Sequence, residues 1–150
     1  MAPEGMHYGA KREMEVMTDE KDRKMSAYHG IVINISQKDP SILNSLEVIG
    51  RKAVLPGFLV LDKICVQPNA IEHVIQLLQR NMRDSFWPFA KGFYFHLYRN
   101  DELIIVFKDR IFRVTTDPAT WAEAIEFGLK QGIPKKQLDF DPCRIADERY

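Results

Sequence analysis

From residue 28 onward, short β-branched or aromatic runs alternate with segments whose apolar residues recur every three or four positions. Ile31-Val32-Ile33-Asn34-Ile35 predicts a strand, and residues 58–66 (FLVLDKICV) predict a second. Between them, Ile42, Leu43, Leu46, Ile49 and Ala53 fall on one face of a helix over 40–54. Asp39-Pro40 supplies its cap and first-turn proline, and Pro56-Gly57 breaks it. A second helix over 69–83 opens at Pro68-Asn69, with Ile71, Val74, Ile75, Leu78 and Met82 facing the core. After the loop SFWPFAKG come three strands, 93–99, 102–108 and 111–115, joined by turns at Asn100-Asp101 and Asp109-Arg110. Asp117-Pro118 repeats the cap-and-proline device. Trp121, Ile125 and Leu129, with Ala124 and Gly128, point inward along a third helix that Gly132 terminates, with Ile133 as the apolar contact beyond.

The order is strand, helix, strand, helix, three strands, helix. This predicts an α+β fold: a mixed sheet of about five strands packed with three helices. The first crossover suits two parallel neighbours, and the last three strands form an antiparallel meander. Residues 11–24 (KREMEVMTDEKDRK) carry ten charged residues in fourteen, so residues 1–27 read as a charged, mobile extension and 28–150 as the domain. The tail is expected to dock through Leu138 and Phe140, with a mobile end.

Charge narrows the classes. Lys plus Arg equals Asp plus Glu, 21 against 21, so the basic excess that supports nucleic-acid binding is missing. No apolar run approaches a bilayer's thickness, and no membrane association is expected. Cys65 reads as a core residue, and the unpaired Cys143 in a polar tail suits a reducing, cytoplasmic setting.

Residues 91–98, KGFYFHLY, form the one stretch with a chemical accent. It resembles the octapeptide signature of RNA-recognition-motif domains, whose aromatics stack on unpaired bases. That resemblance implies single-stranded RNA bound by exposed Phe93 and Phe95. The stretch departs from the pattern at Tyr94, where Gly or Ala is usual, and at His96, where Val is usual. It also follows a helix and precedes a hairpin, which is the wrong context, so the alternation of side chains decides its reading.

That alternation puts Tyr94, His96 and Tyr98 on one face, opposite Phe107, Ile105 and Leu103, with Phe112 and Val114 beyond. Phe93, Phe95 and Leu97 lie on the other. Both faces are largely apolar, which calls for helices on each side or for a second subunit, hence the expectation of a homodimer. Tyr94, His96 and Tyr98 are the candidate ligand-binding cluster, with Arg99 and Arg113 as candidate holders of a small anionic ligand.

No phosphate-binding glycine loop, nucleophile elbow or spaced metal-ligand motif is present, so no cofactor or metal is expected. The function expected is a non-catalytic domain acting through homodimerisation, a protein partner or a small ligand. The alternatives are an enzyme pocket around His96, Tyr94 and Tyr98, and RNA binding through Phe93 and Phe95.

Overall fold

Both neighbours of the central strand β1 (Tyr28–Ile33) run antiparallel to it: β3 (Leu59–Val66) on one side and β4 (Tyr94–Arg99) on the other. This is a computed structural model, and it describes residues 5–55, 58–88 and 90–140. With β2 (Glu47–Leu55), β5 (Glu102–Phe107) and β6 (Ile111–Thr115) the sheet has six strands in the order β2-β3-β1-β4-β5-β6, all antiparallel. Among the described residues, three α-helices accompany it: α1 (Gly5–Met25), α2 (Ile71–Arg80) and α3 (Ala122–Lys130).

Side-chain alternation divides the core in two. On one face Tyr28, Val32, Ile64, Phe95, Leu97, Ile104 and Val106 pack against Ile71, Val74, Ile75 and Leu78 of α2. On the other, Tyr98, Leu103, Ile105, Phe107 and Phe112 meet Trp121 and Ala124, then Ile133, Leu138 and Phe140 from the segment after α3. Each fully buried Ile, Leu or Phe stabilises the fold by about 1.5–3 kcal/mol. The α3 terminus positions that segment. Gly132 has φ +88°, Gly132 N–H donates to the Leu129 carbonyl, and Ile133 N–H donates to the Gly128 carbonyl. This pair of bonds is a Schellman stop, which turns Ile133 into the core. Gly128 leaves room for Leu138, whose Cδ2 lies 2.5 Å from where a Cβ would stand.

Four expectations are corrected. Residues 40–54 do not form a helix: Asp39 caps only a 3-10 segment, Pro40–Ser45, and the chain then extends as β2. The 3–4 spacing of apolar residues was coincidental, and pairing with β3 won over helix propensity that Gly50 already weakens. The sheet accordingly has six strands rather than five and is antiparallel rather than mixed, because a hairpin strand replaces the crossover helix. The β5–β6 turn is Lys108-Asp109, since Phe107 N–H donates to the Arg110 carbonyl; this two-residue register shift leaves the faces unchanged. Leu129 is 45% exposed rather than inward.

Helix α1 covers most of the charged segment, with residues 10–25 largely exposed. Arg23 meets Glu47 of β2, and the Lys24 carbonyl accepts from His29 Nε2. The Pro56-Gly57 break, Cys143 and the end of the tail lie outside the described residues.

Gly30 of β1 pairs with Leu97 of β4 and leaves no space for a side chain: an added Cβ would stand 2.5 Å from the His96 carbonyl oxygen and 2.6 Å from Leu97 Cδ2. Gly30→Ala should therefore destabilise the protein by about 1–3 kcal/mol through overpacking. Urea unfolding checks this, and an unchanged midpoint would contradict the packing of these two strands.

Candidate functional site

The second face of the sheet is covered unevenly. α3 and the segment after it lie over β4, β5 and β6. Over β1 and β3, the side chains of Ile31, Ile33, Leu59 and Leu61 remain half-buried. A groove of about 370 Å³ results. Its floor is those four residues, and its far wall is Tyr94 and His96 with Ile133 and Gln137. Ile35, Ala90, Gly92 and Phe93 complete the described lining. A larger hollow of about 710 Å³ runs along α1, but its described lining comes from that one helix and encloses nothing.

His96 is the polar centre of the wall. Its ring sits between those of Tyr94, at 6.4 Å, and Tyr98, at 6.0 Å and nearly parallel. Its Nε2 is enclosed and makes no hydrogen bond. An unmet buried polar group of this kind costs about 1–3 kcal/mol. Burial lowers its pKa from 6.5 to about 4, so the imidazole is neutral at pH 7. Tyr94 donates its hydroxyl to the Gln137 carbonyl, tying the wall to the segment after α3. Burial, and then the charge of Asp139, raise the Tyr94 pKa to about 12, so it remains a donor.

The fold thus brings Tyr94, His96 and Tyr98 onto one face and separates Arg99 and Arg113 from them. Both arginines project from the α2 side of the sheet. Arg99 lies 4.5 Å from the Tyr28 ring centroid and bonds Glu102 at 3.1 Å, while Arg113 pairs with Glu72 of α2 at 2.5 Å. Nor do Phe93 and Phe95 form an exposed pair. Phe95 is 2% exposed and packs in the α2-side core, so it offers no base-stacking surface.

Sequence reasoning missed Ile31, Ile33, Leu59 and Leu61 as site residues. A signal was present: Ile31-Val32-Ile33 and Leu59-Val60-Leu61 are apolar at successive positions, which means apolar on both faces, while the helices expected from the sequence are too few to cover both. Among the described residues, no cluster of three or more His, Cys, Asp and Glu side chains could hold a metal. No described helix is long and apolar enough to cross a membrane. Comparison with protein-family models, curated proteins and solved structures finds no match.

The neutral His96 makes stability depend on pH with a defined sign. Its folded pKa lies below its unfolded value, so acidification protonates the unfolded chain first, and stability is lost as pH falls from about 6.5 towards 4. The loss should reach up to about 3 kcal/mol. Glu47 and Asp84, held below the usual carboxylate range by hydrogen bonds from Arg23 and Lys108, add their own losses at lower pH. His96→Phe should flatten the dependence between pH 6.5 and 5, measured by urea unfolding at each pH. The same slope in wild type and variant would contradict the assignment.

Proposed function

We propose that this chain is a non-catalytic binding domain that holds a small, mainly apolar molecule in the groove over β1 and β3, with residues 1–27 as an appendage to it. The observation that carries this reading is the groove itself. Its floor is four aliphatic side chains left half-buried where the second face loses its helix, a shape and chemistry typical of small-molecule sites. The described lining includes no carboxylate, thiol, serine or lysine. A neutral imidazole without a nucleophile or charged partner beside it orients a ligand better than it turns one over. This favours binding over the enzyme alternative.

A second copy of the chain is the other reading, favoured by the half-buried aliphatic floor on β1 and β3 itself. Contiguous apolar surface of this sort also marks subunit interfaces.

Native mass spectrometry separates the two, since a monomer with a small-molecule adduct supports the first and an empty dimer the second. Ile33→Trp should fill the groove and reduce binding of the small uncharged dye 1-aminoanthracene by at least about tenfold, with the thermal midpoint checked to show that the variant folds. Equal dye binding by a folded Ile33→Trp variant would refute the groove reading.

A further inference from the structure

We infer that the groove selects an uncharged ligand: an aliphatic or alicyclic molecule of about a dozen non-hydrogen atoms bearing a hydroxyl or carbonyl group. This rests on the groove being a ligand site and specifies the ligand's class. None of the described lining side chains is charged. An ionised head group placed there would lose its water and find no counter-charge, which is strongly unfavourable in an apolar site. Arg99 and Arg113, the two arginines expected to serve the cluster, are on the opposite face and paired with Glu102 and Glu72, and Lys91, between Ala90 and Gly92, is exposed and outside the described lining. Lys63, in register with Ile31, is itself 4% exposed and does not line the groove.

Besides apolar surface, the walls offer the amide of the exposed Gln137 and the imidazole of His96, which lies deeper. The Tyr94 hydroxyl is already donated to the Gln137 carbonyl, whereas His96 Nε2 has no partner. A neutral imidazole provides one donor and one acceptor, which complements a hydroxyl in either role or a carbonyl as acceptor. Because Nε2 is covered, engagement requires the ring to turn about its Cβ–Cγ bond. The size follows from the volume: about 370 Å³, at about 30 Å³ for each water-sized group, accommodates about twelve such groups.

The test uses the full chain at pH 7.5 and three ten-carbon probes below their aggregation limits: 1-decanol, decanoate and 1-chlorodecane. Binding is read by thermal shift and by tryptophan fluorescence. Decanol should bind at least about tenfold more tightly than decanoate. His96→Phe should lose about tenfold in decanol affinity while leaving 1-chlorodecane unchanged, and His96→Gln, which keeps hydrogen-bonding capacity, should retain decanol binding. Decanoate binding as tightly as decanol would overturn the inference while leaving the groove reading intact. Unaltered decanol binding by a folded His96→Phe variant would also overturn it. Failure of all three probes to bind would overturn the groove reading with it.

Discussion

Strand β5 is buried from both sides. Leu103, Ile105 and Phe107 point one way and Ile104 and Val106 the other, and none is more than 3% exposed. A strand of that kind has to sit inside a sheet with cover on each face, and the rest of the architecture follows from meeting that demand. β4 and β6 flank it, α2 seals one face, and α3 with Ile133, Leu138 and Phe140 seals the other. Gly128 and Gly132 let the segment after α3 fold back, one by leaving space for Leu138 and the other by adopting a left-handed conformation.

The same arrangement leaves the groove. The second layer is centred over β5, so its cover runs out at β4, and the aliphatic floor on β1 and β3 lies beyond it. Tyr94 and His96 stand on this boundary, with one side towards the sealed core and the other towards the groove. Their position explains their electrostatics: burial keeps the imidazole neutral and the phenol protonated. A site of this make-up can orient a ligand by a few hydrogen bonds, to His96 or the Gln137 amide, and otherwise holds it by apolar contact.

The meander was legible because two-residue turns and strict alternation determine which residues share a face. Tyr94, His96 and Tyr98 lie opposite Phe107, Ile105 and Leu103, as the alternation implies. The cap at Asp117 and the stop at Gly132 were legible for similar local reasons. Residues 47–55 were not. Their apolar spacing fits a helix, and only pairing with β3, a contact from elsewhere in the chain, makes them an edge strand whose Arg51 and Lys52 discourage further pairing. That misreading also hid the groove floor, because a helix over 40–54 would have been available to cover it. The sequence could show that His96 shares a face with two tyrosines. It could not show that the arginines lie on the other face beside glutamates from distant elements, since that depends on α2 and on tertiary placement.

The central claim is the asymmetry between a sealed face and a face open over β1 and β3. Methyl NMR of isoleucine-labelled protein in the presence of an uncharged paramagnetic relaxation agent measures it directly. The methyls of Ile31 and Ile33 should broaden strongly, while those of Ile64 and Ile104 beneath α2, and of Ile75 on its inner face, should be protected. Equal protection of all five would contradict the account, because it would mean that β1 and β3 are covered on both faces.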